Sequence, residues 1–297
     1  MNQARRKKVS HALEFLGFTM PAVIAILLFV GIPFFMCIFY SLRKWNGIQR
    51  KSTFIGLQNY IRAFTNDSTF IKAIGYTLLY ALLTVILINI IALLLSAILE
   101  QSNLWGKGFF RAAFYIPNII SLIIIGFIWK FIFGRAFEAI HQATGIRAFG
   151  WSWLGQPKLA VISTVLVTVW QALGFYMLIY IAGLQSVPDD VLEAATIDGA
   201  GKVRRFFSVV LPLIVPSITV CTFYSIANSL KMFELIFTLT GGGPGDATTS
   251  VALDIYNTAF NSNQYGYGSA KSVILFVMVA FITILQVTLF KKKEIEA

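Results

Sequence analysis

The sequence predicts an all-α membrane protein with six transmembrane helices. Apolar residues make up 57% of the 297 residues, compared with roughly 45–50% in globular chains, and charged residues fall to 12% from a usual value of about 25%. The apolar residues are gathered into six blocks, and each is long enough for the roughly 20 residues that a membrane-spanning helix requires. The six blocks are residues 15–41, 73–99, 109–133, 159–184, 209–239 and 272–290.

The first block follows the basic cluster Arg5–Lys8 and superficially resembles a signal peptide. Its apolar run is too long for the hydrophobic core of a signal peptide, and no small-residue cleavage site closes it. We therefore expect a first span that is retained. Pro21 and Pro33 are compatible with this span, because neighbouring helices can satisfy the carbonyl groups that a proline leaves free.

The segments between the blocks carry features of a membrane surface or of a turn. Residues 43–72 and 134–158 are rich in Trp, Phe and Tyr, which predicts amphipathic connectors at the membrane interface. Residues 239–249, TLTGGGPGDAT, form a Gly/Pro turn cluster that ends the fifth block outside the membrane. No inverted repeat is visible between the two halves, which weakens the case for a secondary transporter of that type.

The orientation in the membrane follows from the number of spans and from the basic residues. An even number of spans places both termini on one side. The total of Lys and Arg does not separate the two sides, but the segments on the N-terminal side are shorter, and a basic cluster beside the first span usually dominates. We therefore predict a cytoplasmic N-terminal tail of residues 1–14, a transmembrane domain of residues 15–290 and a cytoplasmic C-terminal tail of residues 291–297.

The formal charge of +11 raises the question of nucleic-acid binding. Such binding needs a basic face on a soluble module, whereas the cations here cluster at the ends of the apolar blocks. That distribution is typical of contact with lipid headgroups and predicts membrane lipid, and no nucleic acid, as a partner. Cys37 and Cys221 lie singly inside apolar blocks, and His11 and His141 are far apart, so no metal site is predicted.

The 27 residues 185–211, between the fourth and fifth blocks, predict a short helix on the cytoplasmic side. Pro188 is favoured at the first helical position, and two aspartates after it place negative charge on the first turn, where the helix dipole stabilises it. The helix is expected to run to about Asp198, with Gly199 ending it. From the residues alone, an amphipathic helix lying on the lipid headgroups is the alternative to a helix that contacts a partner.

A second helical stretch continues from this segment into the fifth block, where Pro212 and Pro216 are expected to introduce kinks. In the first helix, Ala194 and Ala195 are small and would permit close approach of a partner surface. Glu193 places a fixed negative charge beside them.

These residues resemble the EAA motif of binding-protein-dependent ABC importer permeases. The match joins residue types to long spacings: Glu193-Ala194-Ala195, Asp198-Gly199 and Leu211-Pro212. Other residues resemble the carbohydrate branch of that family, the maltose and glycerol-phosphate type, over almost the whole chain. The residues that carry this resemblance are Trp170, Gln171, Gly174, Phe175, Ala182–Gln185, Pro188 and Thr240–Pro244. The chain lacks the large extracytoplasmic domain of the enteric maltose subunit, so the resemblance gives the class of substrate and not the sugar.

The resemblance implies the type I ABC importer permease fold with a coupling helix. Its ATPase-coupling residues would be Glu193, Ala194, Ala195, Asp198 and Gly199, seated in a groove of a separate ATPase subunit. A short rigid helix tied to two spans can pass rigid-body motion into the membrane. No GxxxxGK[ST] motif occurs, so this chain is not expected to be an enzyme or to hold a cofactor, and ATP and Mg would be bound by the partner.

The partners implied by the resemblance are a second homologous permease subunit, cytoplasmic ATPase subunits and an extracellular solute-binding protein. The location implied is the plasma membrane of a prokaryote. The substrate implied is a sugar, a di- or oligosaccharide, which crosses the membrane through a path between the spans.

Two stretches offer aromatic rings and neutral hydrogen-bonding groups, which are the groups that bind sugars. In the fourth span, Trp170, Gln171 and Tyr176 fall near one another, and Gly174 would leave room. In the fifth span, side chains at three- or four-residue spacing share a face. They are Ser225, Asn228, Ser229 and Met232. The alternative for each residue is packing between helices.

Lys231 and Glu234 lie beside this face and are costly in lipid, so they should face the interior or pair with each other, in a structural role. Two other classes of membrane protein have patterns that a sequence can show. A self-sufficient channel or secondary carrier would require a charge relay or a carbonyl filter, and a membrane-embedded enzyme would require converging catalytic groups. The sequence has a pattern for neither.

Overall fold

The computed structural model describes residues 15–49, 51–100 and 106–295, with side chains as far as Phe290. One short ladder pairs strand β1 (Arg43–Lys44) with antiparallel strand β2 (Thr53–Phe54), and the remaining regular structure described is helical. The helices are α1 (Phe15–Ser41), α2 (Gln58–Thr65), α3 (Ser68–Leu99), α4 (Lys107–Ile119), α5 (Leu122–Thr144), α6 (Pro157–Gln185), α7 (Asp189–Ile197), α8 (Lys202–Leu213), α9 (Val215–Ser229), α10 (Glu234–Leu239), α11 (Val251–Tyr256) and α12 (Tyr265–Ile295).

Four of these helices are long and apolar enough to cross a membrane: α1, α3, α6 and α12. The bent pairs α4–α5 and α8–α9 bring the number to six if each pair forms one span. The prediction of an all-α membrane protein is confirmed at this level. Helix α3 starts five residues before the predicted block because Asp67 caps it, its carboxylate accepting from the Phe70 amide at 2.9 Å.

The prediction of residues 109–133 as one continuous helix is wrong. Helix α4 ends at Ile119, and the axis turns by 97° before α5. Ile120 and Ser121 both have ψ 136°, an extended conformation that stops the helical hydrogen-bond pattern. Asn118 and Ser121 are flanked by strongly apolar residues, so the mean hydropathy of the block stays high and does not detect the break.

The fifth block is also divided. Helices α8 and α9 differ in direction by 70°, and the turn lies at Ile214, between Pro212 and Pro216, where the kinks were predicted. The predicted end of the block at residue 239 is wrong, because α9 ends at Ser229 and α10 is a separate helix.

The chain divides into two compact units. The first contains the chain up to Asn66 together with Ile255–Ile274, and the second contains Asp67–Asp254 and the chain from Leu275. In the second unit α3 packs along α6, with α4 and α9 against them. Two tyrosines of α3 bond threonines of α6, Tyr76 to Thr164 at 3.0 Å and Tyr80 to Thr168 at 2.6 Å.

The first unit is held together by the side chain of Asn59 on α2. Its amide nitrogen donates to the carbonyl oxygens of Ser41, at the end of α1, and of Arg43, at 2.8 and 3.1 Å. It also donates to the carbonyl oxygen of Gly266, at the start of α12, at 3.4 Å. The Tyr60 hydroxyl adds a bond of 2.7 Å to Ser41. These bonds fix the ends of two spans to the connector between α1 and α3.

The second predicted connector, residues 134–158, begins inside α5 and then forms an aromatic cluster. Phe133 stacks on Trp153 with ring centroids 5.5 Å apart, and Phe137 meets Phe149 edge-on at 4.9 Å. The indole of Trp153 donates to the Ala148 carbonyl at 2.9 Å. Stacked rings and satisfied polar edges of this kind are typical of a membrane interface.

Candidate functional site: a polar cavity beside α6 and α9

A cavity of about 450 Å³ lies in the second unit, between α6, α9 and the break that precedes α5. It is open at one side, and its volume falls within the range of about 300–1,000 Å³ that small-molecule sites occupy. Five residues selected from the sequence line it: Gln171, Tyr176, Asn228, Ser229 and Met232. The structure therefore brings most of the two predicted faces together around one space.

The wall of the cavity combines aromatic rings with neutral polar groups. Tyr224 lies 5.1 Å from Phe175 and 6.3 Å from Tyr176, measured between ring centroids. Asn118 and Thr168 add an amide and a hydroxyl. Rings supply stacking surfaces, and amides and hydroxyls can both donate and accept hydrogen bonds.

One cation and one anion, Lys231 and Glu234, also line the cavity. They form no ion pair with each other in the described part of the chain, and both are exposed. Of the two alternatives, that these residues face the interior or pair with each other, the structure supports the first. The formal charges of these two side chains are of opposite sign and cancel.

Two of the predicted residues also hold helices together. The Ser229 hydroxyl lies 2.9 Å from that of Thr84 on α3, and both residues are buried. Ser225 accepts from the Asn89 amide at 3.1 Å, and the Tyr180 hydroxyl donates to the oxygen of the same amide at 2.6 Å. Ser225 is thus part of a partly buried network joining α3, α6 and α9, as the packing alternative for polar residues in spans anticipated.

Trp170 and Gly174 lie away from the cavity. Trp170 meets Trp129 edge-on at 5.4 Å and lines an apolar groove with residues of α3. Gly174 is buried against α4, where an added Cβ would lie 2.6 Å from the Tyr115 Cα and closer still to the Phe114 carbonyl. The small size of Gly174 serves the close approach of two helices, rather than leaving room for a ligand.

Sequence reasoning missed Asn118 and Thr168 as cavity residues. Asn118 follows Pro117 within an apolar block, and a polar residue after a proline at membrane depth is a usable signal of an interrupted helix. Thr168 carries no such signal in the sequence, because a threonine within a span is ordinary. In the structure its hydroxyl also bonds that of Tyr80.

The segment between α6 and α8 has the form that was predicted. Helix α7 covers Asp189–Ile197, with Pro188 as its cap, one residue outside the predicted first helical position. Gly199 follows with φ 76°, a left-handed conformation that favours glycine. Glu193 and Ala194 are exposed and Ala195 is half-buried, while Ile197, at the end of the helix, is 85% exposed.

The α7 surface carries a shallow cavity lined by both acidic and basic side chains. Its lining includes Asp189, Glu193 and Arg205, and the Arg205 guanidinium donates to the Thr196 hydroxyl at 2.9 Å. That bond ties the start of α8 to the end of α7. Across the described residues, no three His, Cys, Asp or Glu side chains are grouped in a way that could hold a metal ion.

Bent helix pairs, a surface helix between two spans and a polar cavity with one cation and one anion in its wall are the features expected of the membrane component of a transporter. The family model described as "binding-protein-dependent transport system inner membrane component" matches residues 92–294, and the chain belongs to this family. It is therefore a multi-pass membrane protein and the permease component of a transport system. The resemblance to ABC importer permeases drawn from the EAA motif is confirmed.

Relatives and a solved structure agree with this assignment. The chain is 41% identical over 279 residues to the probable starch degradation products transport system permease protein AmyD of Thermoanaerobacterium thermosulfurigenes, covering 94% of each chain. It is 37% identical to the multiple sugar-binding transport system permease protein MsmF of Streptococcus mutans, covering 93% of this chain and 94% of that one. A bacterial ABC transporter involved in the import of the acidic polysaccharide alginate has the same type I fold, with TM-score 0.84, 20% identity and coverage of 98% and 99%.

Proposed function

We propose that this chain is the membrane-spanning permease subunit of an ATP-driven importer for a di- or oligosaccharide, and that the cavity beside α6 and α9 is part of the translocation path. The observation that carries this proposal is the convergence of Gln171, Tyr176 and Asn228 on one cavity of about 450 Å³. The names of the relatives AmyD and MsmF, which refer to starch products and to multiple sugars, support the class of substrate.

The chemistry of the cavity fits transient contact with a sugar. Aromatic rings stack on the apolar face of a pyranose, and amides and hydroxyls exchange hydrogen bonds with its hydroxyl groups. Neutral hydrogen bonds each contribute only about 0.5–1.5 kcal/mol, so such a site holds its ligand weakly. Weak binding is what transport requires, because a tight site among the spans would retain the sugar.

Helix α7 is the part of the chain that would receive the effect of ATP hydrolysis. Glu193, Ala194 and Ala195 would contact a cytoplasmic ATPase subunit, and Asp198 and Gly199 would end the helix that enters its groove. ATP and Mg would be bound by that subunit, and this chain would need no cofactor of its own.

The remaining partners follow from the family. A second homologous permease subunit would complete the pore, and a solute-binding protein would deliver the sugar from outside. We place both termini, the tails 1–14 and 291–297 and the segment 185–211 in the cytoplasm of a prokaryotic cell, with residues 15–290 as the permease domain of the plasma membrane.

This proposal is tested by measuring the uptake of a labelled oligosaccharide such as maltotriose. The cells used contain the complete transporter. Asn228→Ala should lower uptake while leaving the amount of the chain in the membrane unchanged. A chain that transports sugar alone in liposomes without an ATPase would instead indicate a self-sufficient carrier. Normal uptake by Asn228→Ala and by larger substitutions at the same position would remove the cavity from the path.

A further inference from the structure

A second polar cavity, of about 730 Å³, lies in the first unit, where α1 ends and α12 begins. Its walls are α2, the turn after β1 and the first turn of α12, and Asn59 holds these parts in place through its three carbonyl acceptors. None of its lining residues belongs to the cavity beside α6 and α9. Because it adjoins the ends of two helices that are long and apolar enough to cross a membrane, the depth expected for it is that of the lipid headgroups.

Helix α2 beside this cavity has two opposite faces. Three large apolar side chains on one face are exposed, namely Leu57, immediately before the helix, Ile61 and Phe64, with exposures of 63%, 60% and 57%. Their spacing of four and three residues places them on one stripe, and the opposite face, with Gln58 and Arg62, lines the cavity. A short helix with an exposed apolar stripe beside two spans is typical of one that lies in the plane of a membrane interface.

The charges around the cavity are all of one sign. Lys44 and Arg62 line it, and no acidic residue does so in the described part of the chain. The Arg62 guanidinium is held over the Tyr267 ring at 4.1 Å and donates to the Gln264 side-chain oxygen at 2.9 Å. Lys44 is exposed and forms no ion pair among the described residues. Arg62 is thus held in place by its neighbours, and Lys44 is available to contact a ligand.

Amide side chains complete the cavity wall. Gln49, Gln58 and Asn66 line it, and their side chains form no hydrogen bond with the rest of the described chain. Amides can donate to phosphate oxygens and accept from hydroxyl groups. Trp45 lies among them, and indole rings are enriched at the level of lipid headgroups.

We propose that this cavity binds the headgroup of an anionic glycerophospholipid such as phosphatidylglycerol. Lys44 and Arg62 contact the phosphate, the free amides contact the phosphate and the glycerol hydroxyls, and the apolar stripe of α2 lies against the acyl chains. The inference does not depend on sugar transport or on the direction of the chain in the membrane. It is therefore tested independently of the proposed translocation path.

Native mass spectrometry of the full chain, purified in detergent, measures this binding. The titrant is dioleoylphosphatidylglycerol, with dioleoylphosphatidylcholine as the zwitterionic comparison. Each basic residue near anionic lipid contributes about one kilocalorie per mole, so Lys44→Gln/Arg62→Gln should bind phosphatidylglycerol roughly 30-fold more weakly. The matched control is Arg147→Gln/Lys158→Gln, which removes two exposed cations of the other interfacial connector, outside the cavity, and should lower the affinity far less than the double variant does.

Two further measurements separate loss of the site from loss of folding, and a lipid from a free phosphate ester. Lys44→Gln alone disturbs no hydrogen bond or ion pair of the described chain, and it should still weaken binding several-fold if the cavity is the site. Soluble sn-glycerol 3-phosphate distinguishes a free phosphate ester from a lipid, and it should compete weakly. Equal retention of the two lipids, equal affinity of the double variant and its control, or tighter binding of the soluble ester would each overturn the proposal.

Discussion

The hydroxyl oxygens of Ser229 and Thr84 lie 2.9 Å apart, so one residue of the cavity beside α6 and α9 is also a buried contact between α9 and α3. The neighbouring residue, Asn228, is exposed and lines the same cavity. Adjacent positions in one helix therefore have different roles, and substitutions at the two positions should have separable effects on transport and on stability.

Asn228→Ala should lower the rate of sugar uptake roughly 2- to 12-fold. This range corresponds to the loss of one hydrogen bond of about 0.5–1.5 kcal/mol. Asn228→Trp should lower uptake further, because an indole would occupy part of the cavity. Uptake of a labelled oligosaccharide, divided by the amount of chain in the membrane, is the measurement. Asn261→Ala, an exposed asparagine outside the cavity, is the control; a response as large as that of Asn228→Ala would contradict the prediction.

Ser229→Ala should reduce stability by about 0.6 kcal/mol with little effect on uptake per folded molecule, because its hydroxyl bonds another helix. Thr84→Ala should have a similar effect, and the double variant should be no less stable than the more damaging single one. Thermal unfolding of the purified chain measures both. Strictly additive losses would mean that the two hydroxyls do not interact.

Gly199→Val should uncouple transport from ATP hydrolysis while the chain still inserts. The φ of 76° would cost a residue with a β-branched side chain about 1–2 kcal/mol, which would alter the end of α7. Glu193→Lys should also uncouple, by reversing the charge on the helix. Membrane abundance, ATPase association and uptake are measured together.

The control for the glycine is Gly201→Val. Its φ of −62° lies in an allowed region, and an added Cβ has no atom within 4 Å. Normal uptake by both Gly199→Val and Glu193→Lys would remove α7 from the coupling mechanism.

Gly174→Ala should destabilise the chain by about 1–3 kcal/mol, because its Cβ would meet the main chain of α4, which cannot yield as a flexible side chain does. Gly75→Ala, at a helical glycine with no atom within 4 Å of an added Cβ, should be neutral or slightly stabilising. The yield of folded chain after detergent extraction compares the two. An unchanged yield for Gly174→Ala would show that α4 and α6 are farther apart than described.

Cysteine labelling tests the proposed orientation. In a chain with Cys37 and Cys221 replaced by serine, Gly243→Cys should react with a membrane-impermeant maleimide added to intact cells. Lys202→Cys should react only after the membrane is opened. Labelling of both positions from the same side would refute the six-span orientation.

The fold could be predicted as far as composition and local chemistry determine it. The blocks that became α1, α3, α6 and α12 are predominantly apolar, and the helix ending before Gly199 followed from a proline, two aspartates and a glycine. The bend after Ile119 leaves no trace in mean hydropathy, because it consists of extended ψ angles at two residues. Its local sign in the sequence is the polar Asn118 directly after Pro117.

The site could be predicted at the level of helix faces and not of each residue. Three- and four-residue spacing placed Asn228 and Met232 on one face, and both line the cavity. The same reasoning could not separate Trp170 and Gly174 from it, because the sequence does not show which side of α6 faces α4. Contacts between helices that are distant in the sequence decide which side of a helix faces a cavity and which side faces another helix.

The bond between Asn59 and Gly266 has a consequence for biosynthesis, because its partners are 207 residues apart. At about 5–20 residues per second, a ribosome needs roughly 10–40 s to make the intervening chain. Throughout that interval the Asn59 side chain lacks the Gly266 carbonyl oxygen, which is the last of its three acceptors to be synthesised. A nascent chain arrested before Gly266 should therefore be cut within residues 43–54 by an added protease more readily than the completed chain, and equal cleavage would show that the connector is already ordered by its local bonds.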